Sequence, residues 1–112
     1  MRGCVAFGIT VLIAAPGWAG WGPRNSAQIA EALTGTTLKY ETARQVFYAS
    51  GRTMYDAGRP SWGYWEARED AYCSQWPPAG GWACYRMERD NKSGNLRFIG
   101  ESGDITEGAI VE

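Results

Sequence analysis

Residues 62–88 read Trp62-Gly-Tyr-Trp-Glu-Ala-Arg-Glu-Asp-Ala-Tyr-Cys-Ser-Gln-Trp-Pro-Pro-Ala-Gly-Gly-Trp-Ala-Cys-Tyr-Arg-Met-Glu88. Cys73 and Cys84 flank a Pro-Pro-Ala-Gly-Gly turn, and their spacing is that of a hairpin disulfide rather than a zinc ribbon or a Cys-x-x-Cys redox pair. If the two cysteines lie directly opposite one another, Gln75 faces Trp82, Ser74 faces Ala83 and Tyr72 faces Tyr85. Side chains alternate across a strand, so the faces follow at once. Tyr72, Ser74, Trp76, Ala83, Tyr85 and Met87 share one; Cys73, Gln75, Trp82, Cys84, Arg86 and Glu88 share the other. A tight Glu69-Asp70 turn carries the assignment backward, adding Gly63, Trp65 and Ala67 to the first face and Tyr64, Glu66 and Arg68 to the second. The first face is the apolar one. Tyr72, Trp76, Tyr85 and Met87 are therefore expected inside, Glu66, Arg86 and Glu88 exposed, and the disulfide on the outer surface, where its loop of roughly 12 residues contributes about 3 kcal/mol in the chain-entropy picture.

The same period of two runs through the rest of the chain. Segments Thr36–Glu41, Arg44–Ala49, Arg52–Asp56, Trp62–Arg68, Ala71–Trp76, Trp82–Arg89, Asn95–Ile99 and Asp104–Val111 alternate, and Gly, Pro, Asn and Ser punctuate them. Eight short strands with tight connections predict a mainly β domain: a small antiparallel meander, curled or closed into an eight-stranded barrel that leaves few edges open. A β-sandwich is the alternative. One short helix precedes them, with Asn25 and Gln28 in capping-box positions, Ile29, Ala32 and Leu33 on one apolar face, and Gly35 as the stop. Trp21-Gly-Pro-Arg24 reads as a linker.

The chain has 112 residues, room for one domain. Met1-Arg2, the uncharged apolar run Val5–Ala15 and small residues at Gly17 and Ala19 fit a secretory signal peptide over 1–19, leaving a single small barrel-like domain over 20–112. Eleven apolar residues make only about 16 Å of helix, too short for the roughly 30 Å hydrocarbon core. Cys4 leaves with that segment, and the remaining even pair suits the periplasm or the exterior. Arg2 leaves too, so 10 of the 11 basic residues stand against 12 acidic ones. A balance of −2 gives nucleic acid nothing to bind by charge, and no later run is apolar enough to span a bilayer.

Histidine is absent, which removes Ser-His-Asp and Cys-His catalysis and imidazole zinc sites. Carboxylates at Glu66, Glu69 and Asp70, and at Glu101, Asp104 and Glu107, fall at turns or on the outer face near Arg68 and Arg97, as solvated charges do. Asp90-Asn-Lys-Ser-Gly-Asn95 places Lys92 where a calcium loop needs an oxygen ligand, so it reads as a hairpin turn. No catalytic residue, metal site or cofactor is expected.

Aromatic residues are the positive signal, with Trp62, Tyr64, Trp65, Tyr72, Trp76, Trp82 and Tyr85 inside 24 positions. Trp65, Tyr72, Trp76 and Tyr85 are expected either to fill the core or to line a cup for a small amphipathic ligand. Trp62, Tyr64 and Trp82 fall on the outer face, where aromatic side chains can anchor a protein partner. The expectation is a non-catalytic binding module for a small amphipathic molecule, with docking onto an envelope protein, for example as an inhibitor of an exported hydrolase, as the alternative.

Leu33-Thr-Gly35-Thr-Thr37, Gly63-Tyr-Trp65, Tyr72-Cys-Ser-Gln-Trp76 and Ala83-Cys-Tyr85 together resemble a pattern of small uncharacterised exported proteins of alphaproteobacteria over roughly residues 25–100. The chain also looks like a calycin-style barrel, with its Gly-x-Trp on the fourth strand where lipocalins carry theirs on the first. The resemblance implies a fold and a compartment, and no activity.

Overall fold

A computed structural model describes residues 20–112; the expected signal peptide over 1–19 and Cys4 lie outside the described residues. The order of elements is β1 (Trp21–Pro23), α1 (Ser26–Leu33), β2 (Thr36–Lys39), β3 (Arg44–Phe47), β4 (Arg52–Asp56), β5 (Pro60–Arg68), β6 (Ala71–Gln75), β7 (Ala83–Asp90), β8 (Leu96–Ile99) and β9 (Ile105–Val111). Strands β2 to β9 form an antiparallel meander in sequence order, and one further pairing, β2 with β9, closes it into an eight-stranded barrel. Closure, rather than a sandwich, removes the open edges that this short meander would otherwise expose.

Register follows the cysteines. Cys73 faces Cys84, Tyr72 faces Tyr85 and Ser74 faces Ala83, with Cα atoms 4.0 Å apart at the disulfide. Across the Glu69-Asp70 turn, Trp65 faces Ser74 and Ala67 faces Tyr72. Both turn residues take positive φ, 53° and 59°, the geometry whose twist matches a two-residue hairpin. Asp70 is also tied to the helix start: the Ser26 amide donates to its carboxylate (2.9 Å) and its own amide donates to the Ser26 hydroxyl (2.6 Å).

Helix α1 begins as its capping box predicts, the Gln28 amide donating to the Asn25 side chain and the Asn25 amide to the Gln28 side chain. It ends at Thr34, and Gly35 then adopts φ 75°, open to glycine at little cost, while its amide donates to the Phe47 carbonyl. The helix packs against β5, β6 and β2. Ile29 and Leu33 are fully buried with Leu38, Phe47, Trp65, Met87 and Leu96, and this cluster fills one end of the barrel.

Four expectations are corrected. Residues 21–23 are a strand, not a linker: β1 pairs antiparallel with Glu88–Asp90 of β7. Strand β7 gives one edge to β6 over Ala83–Tyr85 and the other to β8 over Arg86–Arg89, so β1 occupies the stretch of edge that β6 leaves free, outside the closed barrel. Glu88 is not exposed: its side chain is only 15% accessible, because Arg97 bonds it at 2.7 Å and Trp21 of β1 packs on the Arg97 guanidinium at 4.3 Å. Trp76 and Tyr85 face inward but are only partly buried, for the reason given below. Cys73 is fully buried although its face is the outer one; its neighbours there are Glu66, directly opposite, Arg68 paired to Glu66 at 2.7 Å, and Trp82 under the Arg68 guanidinium at 5.2 Å.

Candidate functional site

The end of the barrel away from α1 is open, and a cavity of about 680 Å³ descends into it. That volume falls within the range of small-molecule sites. Its walls are largely aromatic: Tyr40 at the end of β2, Tyr55 on β4, Tyr72 on β6, Trp76 just after β6, Tyr85 on β7 and Phe98 on β8. All follow from the alternation that sends every second residue inward. Packing holds them: Tyr72 lies 4.8 Å from Phe98, 5.8 Å edge-on to Phe47 and 6.1 Å from Tyr85, and Tyr55 meets Trp76 edge-on at 6.3 Å. Tyr72 thus divides the barrel, with one side on the solid cluster around Phe47 and the other on the cavity.

Gly63 makes room for this arrangement. A Cβ on that inward position would stand 2.6 Å from the Trp76 ring and 2.5 Å from the Gln75 carbonyl, so the first residue of the Gly-x-Trp lets the indole lie across β5. The Trp76 indole N–H donates to the Ser74 hydroxyl at 3.2 Å.

At the base the aromatic walls give way to a polar network. The Tyr40 hydroxyl donates to Gln45 Oε1 (2.6 Å), and Gln45 Nε2 donates to Thr53 Oγ1 (2.9 Å) and to the Tyr72 hydroxyl (3.2 Å). Thr53 passes its own proton to the Val46 carbonyl at 2.8 Å. Gln45, Ser74 and Tyr72 are each 5% exposed, so these bonds satisfy groups that burial would otherwise leave costly. Burial, with Tyr72 and Tyr55 nearby, pushes the Tyr40 hydroxyl far above its ordinary value of 10.0. Burial also raises Tyr72, against the opposing effect of hydrogen bonds from Gln45 and Ser74. Both hydroxyls are neutral across the physiological range.

The residues singled out from sequence divide unevenly. Tyr72, Trp76 and Tyr85 meet at the cavity; Trp65 does not. Its ring is 7% exposed, stands edge-on to Phe47 at 5.7 Å and donates its indole proton to the Tyr48 carbonyl at 3.0 Å, all within the filled end. Trp62, Tyr64 and Trp82 are exposed to 47%, 43% and 37%. Trp62 stacks on Tyr48 at 5.9 Å, with the Arg52 guanidinium over its ring at 4.9 Å and over that of Tyr64 at 5.7 Å; Trp62 also borders the cavity mouth. Trp82 stands apart with Arg68. Tyr40, Gln45, Tyr55, Ser61, Ser74, Pro77, Phe98, Asp104 and Thr106 complete the lining and were not singled out as site residues. Alternation within Thr36–Glu41 and Arg44–Ala49 carries the signal for Tyr40 and Gln45.

Five carboxylates are spent on structure. Glu66 and Glu88 pair with arginines, Asp70 caps the helix, and Glu107 accepts from Asn95 at 2.9 Å. Asp90 turns onto its own loop, where the Ser93 hydroxyl at 2.7 Å and the Lys92 and Ser93 amides hold its carboxyl below the ordinary value of 3.8. Among the described residues no group of three or more Cys, Asp or Glu could hold a metal ion, and no helix is long and apolar enough to cross a membrane. No protein-family model, curated protein or solved structure matches the chain.

Proposed function

We propose that the protein is a non-catalytic binding module of the cell envelope that holds a small amphipathic molecule in the open end of its barrel. The observation that carries this reading is the cavity of about 680 Å³ between Tyr40, Tyr55, Tyr72, Trp76, Tyr85 and Phe98, with hydrogen-bonded polar groups at its base. Aromatic rings beside fixed hydrogen-bonding groups give the walls a mixed character that suits an amphipathic molecule. The Cys73–Cys84 bond supports a periplasmic or secreted location, since disulfides persist in oxidising compartments.

Prodan, a neutral naphthalene with a carbonyl and an environment-sensitive emission, tests the reading. Saturable one-to-one binding with a blue shift is expected, weakened about ten-fold or more in Trp76→Ala and unchanged in Trp82→Ala. Absence of saturable binding, or binding indifferent to Trp76, contradicts it. Docking onto an envelope protein is the second reading, and the exposed Tyr48–Trp62 stack with Arg52 and Tyr64 favours it. It gains if prodan fails and Trp62→Ala abolishes capture of an exported hydrolase.

A further inference from the structure

The hydrogen bonds at the base of the cavity leave one proton over. Thr53 has a single hydroxyl proton and gives it to the Val46 carbonyl, so it can only accept from Gln45. That fixes the Gln45 amide with Nε2 toward Thr53 and Oε1 toward Tyr40, and Tyr40 must then donate. The second Nε2 proton goes to the Tyr72 hydroxyl, which accepts. Ser74 accepts from the Trp76 indole and stands two residues from Tyr72 on the same inward face of β6. Tyr72 and Ser74 therefore hold two hydroxyl protons between them. At most one can bond the neighbouring oxygen; at least one has no acceptor among the described residues whichever way the pair is arranged. Both side chains are 5% exposed and both line the cavity, so the spare proton faces its interior, and a ligand that displaces water there must supply an acceptor of its own to keep that hydrogen bond. Tyr55 and Tyr85 hydroxyls differ, being on less buried residues nearer the mouth, where water can reach them.

Charge narrows the ligand further. Among the described residues no lysine or arginine lines the cavity, and the one carboxylate that does, Asp104, disfavours anions. A carboxylate or phosphate driven to the base would lose its hydration with no cation to meet it.

The geometry points to a ligand that is uncharged, flat enough for the aromatic walls, and bound acceptor-first: a carbonyl or ring nitrogen at its leading end takes the spare proton of the Tyr72–Ser74 pair. This rests on the cavity being a binding site and specifies what it selects. The reading excludes fatty acids and phosphorylated metabolites entering head-first. It also excludes molecules whose leading group is a hydrogen-bond donor, for which the base offers no free strong acceptor.

Quinoline, indole and 2-naphthoate at neutral pH form the test, with affinities measured by calorimetry on the disulfide-intact domain. Quinoline and indole are similar in size and hydrophobicity, but one presents a ring acceptor and the other a donor. Quinoline is expected to bind about five-fold or more tighter than indole, the factor of one neutral hydrogen bond, and 2-naphthoate to show no binding where quinoline saturates. Gln45→Glu adds an acceptor at the base that absorbs the Tyr72 proton, so the quinoline preference should vanish in that variant while near-ultraviolet circular dichroism stays native. Indole binding as tightly as quinoline, or 2-naphthoate binding tightest, overturns the inference and leaves the binding function standing. Failure of all three together with prodan removes the binding function itself. Should Gln45→Glu not fold, the quinoline-to-indole ratio of the unaltered protein decides alone.

Discussion

The two ends of this barrel are built from the same strands and differ in what fills them. At the helix end, Ile29 and Leu33 reach in from α1 and close-pack with Leu38, Phe47, Trp65 and Leu96, all between 0% and 7% exposed. At the other end none of the described residues plugs the mouth, so Tyr55, Trp76 and Tyr85 stay partly exposed around a cavity. Stability is thereby concentrated at one end, and the other keeps the space that the proposed binding would use. A barrel of this length cannot do both in one layer. Tyr72 is where the change occurs, touching Phe47 on one side and Gln45, Ser74 and the cavity on the other.

Truncation separates the ends most sharply. Phe47→Ala empties the centre of the filled half, between the edges of Trp65 and Tyr72, and should cost about 3–5 kcal/mol in urea unfolding. Tyr55→Ala, at the mouth, should cost less than about 1 kcal/mol while weakening prodan binding. Equal losses would erase the distinction. Replacing both Cys73 and Cys84 with Ala removes the clip on the hairpin that carries Tyr72, Trp76 and Tyr85, and should lower stability by about 3 kcal/mol. Ligand binding should fall with it at temperatures where the hairpin frays.

Gly63→Ala tests the wall of the mouth. The added methyl meets the Trp76 ring and the Gln75 carbonyl, so a loss of about 1–3 kcal/mol is expected together with a shifted Trp76 emission. An unchanged domain would mean that Trp76 is not seated across β5. The last effect appears only in alkali. The folded values of Tyr40 and Tyr72 are raised above the ordinary 10.0, so the unfolded chain loses those protons first. The stability they contribute is complete below about pH 10 and is lost as pH rises through the folded values. Unfolding midpoints measured upward from pH 9 should decline beyond 10, and a flat profile would show that the base of the cavity is wet.

The eight strands of the barrel, their order and the register beside the disulfide were legible because each segment alternates with a period of two and is bounded by turn residues, and because Cys73 and Cys84 tie the register to one number. Strand β1 was not legible. It has three residues, includes Gly22 and Pro23, and pairs with Glu88–Asp90 more than sixty positions away, so no local pattern marks it. The candidate site was half legible. Alternation says that Trp65 and Trp76 both face inward, but it does not say at what height along the barrel axis; closure and the helix decide that, and they put Trp65 in the solid end. The base of the cavity was hidden for a related reason. Gln45 stands at an inward position among charged and apolar residues, and its meaning depends on Tyr40, Thr53 and Tyr72, which lie on three other segments.

The most direct test of two unlike ends is a titration with quinoline followed by the indole N–H signals of the uniformly nitrogen-15-labelled domain, each assigned by single Trp→Phe variants. The Trp76 signal should move saturably, with the same dissociation constant as calorimetry, while the Trp65 signal holds its position. Movement of Trp65, or of Trp82 alone with Trp76 unmoved, would contradict the account.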